Sequence, residues 1–209
     1  MAPSDLGLLT WMRALADGDV AEAARLLAAS PDLASARILT GATRDNPKEH
    51  FFAAILHYAY AGDTALHLAA AAHHKPTVKK LLALKADVHA KNRRGAEPLH
   101  YAADGGPGHP AWKPKAQAAV IARLIAAGAE VDAIDKGGVT PLHRAVRNRC
   151  AAAVRALIAG GADVRRKNGS GSTALQLARE NTGRGGTGSA EAKAQQAEIV
   201  RALTAAGAR

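Results

Sequence analysis

Aromatic residues are scarce in this chain: two Trp, three Tyr and two Phe among 209 residues. Strands draw on aromatic and β-branched side chains, so this scarcity argues against an all-β fold. A single cysteine cannot form an intramolecular disulfide, which excludes a disulfide-stapled scaffold and fits a reducing compartment. No uncharged apolar run reaches the roughly 18 residues that a membrane-spanning helix needs. The opening stretch, MAPSDLGLLTWMRALA, has no basic segment ahead of its apolar residues, so a secretory signal is not expected. These absences make the cytoplasm the expected location, with no membrane partner. What the chain has in quantity is alanine, 52 residues and about half of its 48% hydrophobic fraction. Alanine favours helices, and its small side chain lets them pack at close range.

Charge is plentiful but uneven. The formal net charge is +10. Residues 1–62 hold five basic and seven acidic side chains, whereas residues 63–209 hold 23 basic and 11 acidic. Such a gradient suits an anionic partner for the C-terminal two-thirds, either an acidic protein surface or a nucleic-acid backbone. The alternative is a solvated surface that only keeps the chain soluble.

The strongest signal is an internal repeat. GDTALHLA at 62–69, GAEPLHYA at 95–102, GVTPLHRA at 138–145 and GSTALQLA at 171–178 align without gaps. His67 to His100 is 33 residues, His100 to His143 is 43, and His143 to Gln176 is again 33. A second marker follows each: LLALKADV from 81, LIAAGAEV from 124, LIAGGADV from 157 and LTAAGAR from 203. The two markers lie 14 residues apart in the units starting at 62 and 138, and 24 and 27 apart in the other two. Every departure from the period is therefore an insertion inside a unit.

Each unit reads as two short helices. Thr64, Thr140 or Thr173 starts the first, because a hydroxyl accepts a hydrogen bond from a free N–H of the first turn. Pro141 fits the first helical position, where no donor is needed. The second helix carries Val78, Leu81 and Leu82, or Val154, Leu157 and Ile158, on one stripe. Gly128, Gly161 and Gly207 end it, since glycine enters the left-handed region without strain. Lys85 stands where that glycine belongs, which predicts a strained helix end.

The units resemble ankyrin repeats, whose period is about 33 and whose signature is T-P-L-H-x-A. The arrangement is similar to stand-alone bacterial ankyrin-repeat proteins. The resemblance implies an all-α solenoid of stacked helix-turn-helix units joined by hairpin loops. Residues 1–34 read as a degenerate N-terminal capping repeat and 35–61 as an insertion or connection. Repeats follow at 62–94, at 95–137 with an insertion at 104–115, at 138–170, and at 171–209 with a Gly-rich insertion at 182–194. Phe51, Phe52, Ile55 and Leu56 make part of the 35–61 segment apolar, so it is expected to pack. By the same resemblance, His67, His100 and His143 bond to the Thr and to backbone of the adjoining loop, tying unit to unit. Glu97 in place of Thr and Gln176 in place of His are expected to alter that tie.

Ankyrin repeats usually bind partners on the concave face of inner helices and hairpin loops, and the resemblance implies neither cofactor nor active site. Here the loops are basic. Lys91, Arg93 and Arg94, then Lys136, then Arg165, Arg166 and Lys167 are expected in a row along one edge. Arg144, Arg147 and Arg149 begin the inner surface of the fourth unit, Arg147 at a position that often contacts partners in the family. Trp112, in the proline-rich insertion, either anchors a partner or folds back onto neighbouring helices. The expected function is a non-catalytic protein–protein interaction module, monomeric, with an acidic partner. Nucleic acid or another polyanion is the alternative. Against it, the fingers lack interleaved aromatics for base stacking.

Other chemistry-bearing residues point nowhere strong. Gly183, Gly185 and Gly188 match G-x-G-x-x-G but follow a helix, not a strand, so a flexible loop is the better reading. His73 and His74 are adjacent and diverge on a helix, with no tetrahedral set around them. Cys150 reads as a small buried residue with no matched base.

Overall fold

The computed structural model describes residues 3–45, 47–108, 112–180 and 188–209. Helices pair in sequence order. They are α1 (Pro3–Ala16) and α2 (Val20–Ala29), α3 (Ala65–Ala71) and α4 (Lys75–Ala83), and α5 (Pro98–Ala102) and α6 (Pro114–Ala126). Then come α7 (Pro141–Arg147) and α8 (Ala151–Ala159), and α9 (Ala174–Arg179) and α10 (Ala190–Ala205). The first helix of each pair packs on the next first helix, α1 on α3, α3 on α5, α5 on α7 and α7 on α9. The second helices pack likewise from α4 through α10. The result is a two-layer solenoid in which no pair buries its apolar stripe alone.

Alanine makes the close packing possible. Ala65, Ala69, Ala102, Ala145, Ala153 and Ala174 are wholly buried between the helices, with Leu66, Leu99, Leu124 and Leu157 as the larger core residues. Trp11, also wholly buried, fixes α1 to α2 by donating from Nε1 to the Ala23 carbonyl at 2.9 Å.

The helix starts follow the sequence. The Thr140 hydroxyl accepts from the His143 N–H, and Pro141 occupies the first turn. Lys85 has φ of +63°, and Lys85 N–H and Ala86 N–H bond to the Leu82 and Leu81 carbonyls. Gly128 and Ala129 make the same pair of bonds to Ile125 and Leu124, with Gly128 at φ +95°. Lys85 thus does a glycine's work in a conformation that costs a side chain roughly 1–2 kcal/mol.

The segment at 35–61 packs on the first pair, as its apolar residues suggested, but it also forms a small hairpin. Strands β1 (Phe51–Phe52) and β2 (His57–Tyr58) are antiparallel, joined by a short turn ending at Leu56. Ile38, Ala42, Phe52 and Ala59 of the segment are buried, whereas Phe51 and Leu56 are exposed. Asp5 pins the segment by accepting from Leu39 N–H at 2.8 Å and from Thr40 N–H and hydroxyl at 2.9 and 2.8 Å. Burial opposes its charge, yet these bonds outweigh the burial and hold its carboxyl below the usual range.

Candidate binding groove

The hairpin loops between units stand in a row, tied backbone to backbone. Arg93 N–H donates to Ala61, Lys136 N–H to Arg94, and Gly169 N–H to Gly137, at 2.7, 2.9 and 3.1 Å. One side chain closes each turn. Asn92 Oδ1 accepts from Arg94 and Ala96, Asp135 Oδ1 from Gly137 and Val139, and Asn168 Oδ1 from Ser170 and Ser172. Gly138 has φ +68°, and a Cβ there would lie 2.6 Å from the Gly169 nitrogen, so only glycine lets successive loops touch.

The histidines carry the same order inward. Each Nδ1 accepts from the backbone N–H of its own capping residue: Thr64 to His67, Glu97 to His100 and Thr140 to His143, at 3.1, 3.1 and 3.3 Å. The proton therefore sits on Nε2, which donates to the next loop at Ala96, Val139 and Ser172. Burial drives all three rings toward the neutral form, His100 down to about 4. The Glu97 substitution keeps the backbone bond to the imidazole but leaves Oε2 buried with no hydrogen-bond partner among the described residues, 3.9 Å from His89 Nδ1, and burial raises its carboxyl. Gln176 reproduces only the inward half of the tie, accepting from Thr173 N–H at 2.8 Å.

Inner helices and loops enclose a groove of about 1570 Å³. The hairpin tip, residues 54–58, forms part of one wall, and the inserted residues Gly105, Gly106, Gly108 and Trp112 form part of another. Of the expected contact residues, Arg93, Arg94, Trp112, Lys136, Arg144 and Arg147 line this groove. Lys91, Arg166 and Lys167 do not. Lys91 Nζ lies 3.6 Å from the Glu97 carboxylate, and Arg166 and Lys167 are exposed on the last loop.

Two of the lining residues have internal duties. Arg144 bonds to Asp104 at 3.0 Å and Asp135 at 3.1 Å, with only 16% of its side chain exposed. Burial disfavours its charge, but the two carboxylates more than compensate and raise its pKa. Arg144 is thus a tie between units three and four, where the sequence suggested a free cation. Trp112 folds back: it is half-buried against the core, and its Nε1 donates to Gln117 Oε1 at 3.0 Å. The Cys150 thiol donates to the same oxygen at 2.9 Å, while burial pushes its pKa up. That leaves Arg93, Arg94, Lys136 and Arg147 along the groove, none with a carboxylate within ion-pair distance among the described residues; Arg93 donates to the Ala42 carbonyl and Arg94 to the Tyr60 hydroxyl, so Lys136 and Arg147 are the least engaged.

The sequence reading missed the aromatic lip. Phe51 and Tyr58 stack at 4.7 Å, Tyr58 lies 6.4 Å from Tyr60, and the guanidiniums of Arg93 and Arg94 each sit 5.2 Å from the Tyr60 centroid. Four of the seven aromatics fall within residues 51–60, which was the available signal. Beneath the hairpin, Asp63 accepts from Tyr101 hydroxyl at 2.7 Å and from Asn92 Nδ2 at 2.9 Å, fixing the groove floor.

Among the described residues no three His, Cys, Asp or Glu side chains gather closely enough to hold a metal ion. His73 instead donates to the Ala102 carbonyl and is pushed by burial to about 4, and His74 shares a 2.7 Å bond with Thr77. Gly183 and Gly185 of the glycine-rich motif lie outside the described residues.

A family model described as ankyrin repeats in three copies matches residues 11–111, and a second, described as ankyrin repeats in many copies, matches residues 124–178. The chain belongs to the ankyrin-repeat family. Ankyrin repeats are generally protein–protein interaction modules and typically non-catalytic. A search of curated proteins finds no match. No helix among the described residues is long and apolar enough to cross a membrane.

Proposed function

We propose that this ankyrin-repeat protein is a non-catalytic module that docks an acidic partner protein along the groove. The observation that carries the reading is the set of groove-lining cations Arg94, Lys136 and Arg147, which have no carboxylate partner among the described residues. Opposing carboxylates would orient on the two guanidiniums by paired hydrogen bonds, and the positive field would speed encounter. A capture experiment compares the intact chain with an Arg94→Glu/Lys136→Glu/Arg147→Glu variant and an Arg166→Glu/Lys167→Glu variant of smaller charge change. The triple variant loses the captured partner and the double variant keeps it. Equal capture by all three removes the groove from the account.

One observation favours a second reading, binding of single-stranded nucleic acid. Tyr60 lies between the loop arginines and the aromatic pair Phe51–Tyr58, which supplies the stacking surface that the loops alone lack. Retention on single-stranded DNA that falls steeply between low and moderate salt would promote this reading.

A further inference from the structure

Resting on the acidic-partner reading, we propose that the occupant is a short acidic segment of a partner protein bearing one large apolar side chain, which packs against Leu56 at the hairpin tip. Three features converge there. Leu56 is 57% exposed and has φ of +48°, so it combines solvent exposure with a backbone conformation that leucine avoids. The backbone conformation closes the turn between β1 and β2, with Leu56 N–H donating to the Ala53 carbonyl, while the side chain is left exposed at the groove. Ile55 beside it is half-buried against the core and holds the tip in place. His57, the next residue, also lines the groove, and its buried Nε2 has no hydrogen-bond partner among the described residues, so polar capacity beside Leu56 is unmet. Across the groove, Trp112 has its N–H already bonded to Gln117 and so offers only apolar ring surface.

Size and charge select the class of occupant. Small-molecule sites enclose about 300–1,000 Å³, and this groove exceeds that range at about 1570 Å³. Arg94, Lys136 and Arg147 supply the complementary charge for carboxylates flanking the apolar residue.

The test uses the full chain and two fluorescent peptides read by anisotropy: a glutamate-rich peptide with one central leucine, and the same peptide with serine there. The leucine peptide binds about tenfold or more tightly, as burial of one large apolar side chain requires. Leu56→Asn suits the left-handed turn, so it melts no lower than the parent, yet it binds both peptides at the serine peptide's level. Leu56→Met keeps the discrimination. Equal affinities for the parent, or discrimination that survives Leu56→Asn, overturns the anchor while leaving the acidic-partner reading intact. Binding of neither peptide at low salt overturns both. Tighter retention of oligo(dT) than of either peptide reassigns the groove to nucleic acid.

Discussion

In the unit at 138–170, most special positions are filled by residues suited to them, Arg149 at φ +57° being the exception. Thr140 caps, Pro141 starts the helix, His143 reaches the next loop, and Gly138 and Gly161 take the positive-φ turns. The segment at 35–61 contrasts with it. Among the described residues, His50 is buried with neither ring nitrogen hydrogen-bonded, His57 has one such atom, and Leu56 and Leu39 are largely exposed. The regular unit spends its polar groups on neighbours. The irregular segment leaves polar and apolar surface uncommitted beside the groove. The contrast teaches that the repeating positions tie unit to unit, and that the proposed recognition surface draws on a segment that does not repeat.

The comparison can be broken most directly with acid. His67, His100 and His143 are held neutral in the fold, whereas an unfolded histidine titrates near 6.5. Above pH 6.5 neither state binds the proton and stability is flat. Between about 6.5 and 4 the unfolded chain takes up protons that the folded chain refuses, so stability falls. His100 alone, at about 4 when folded, contributes on the order of 3 kcal/mol of that loss. Chemical denaturation from pH 7.5 to 4 reads the slope. A flat profile would show that the histidine ladder does not hold the units together.

Next in size is His143→Ala. It removes the bonds to Thr140 and Ser172 and leaves a void, at about 3 kcal/mol by the usual range for buried polar and cavity losses. His143→Gln keeps the inward bond, as Gln176 does, and loses less. Equal losses for the two variants in a denaturation series would place the stabilisation in packing alone.

The smallest effect sharpens the comparison within the repeats themselves. Lys85→Gly should gain about 1 kcal/mol by relieving φ of +63°, and Gly161→Lys should lose a similar amount. Thermal melts of the pair check it. A gain absent at Lys85 would mean the helix end there is not limited by backbone strain.

The repeating architecture was legible because its causes are local and recur. A capping Thr, an inward His and a glycine stop lie within one unit and can be matched by eye to the next. The groove was only half legible. Arg144 looked free because its partners, Asp104 and Asp135, lie 40 and nine residues away, one in an insertion and one in a loop tip. Trp112 was ambiguous for the same reason, since its partner Gln117 is set by how the insertion turns back. The hairpin at 51–58 has no counterpart among the described residues of the other units, so no alignment within the chain could raise it.

Gln117 has one further consequence. It is wholly buried, and its carbonyl receives both the Trp112 indole and the Cys150 thiol, while its amide donates to Ala102 and Asp104. The chain's two indoles are thereby placed in unlike surroundings, Trp11 sealed in the cap and Trp112 at the groove wall. Their emission makes the molecule its own two-channel optical gauge. With the other indole replaced, light from Trp11 would report whether the first helix pair has melted, and light from Trp112 whether the proposed cleft is filled.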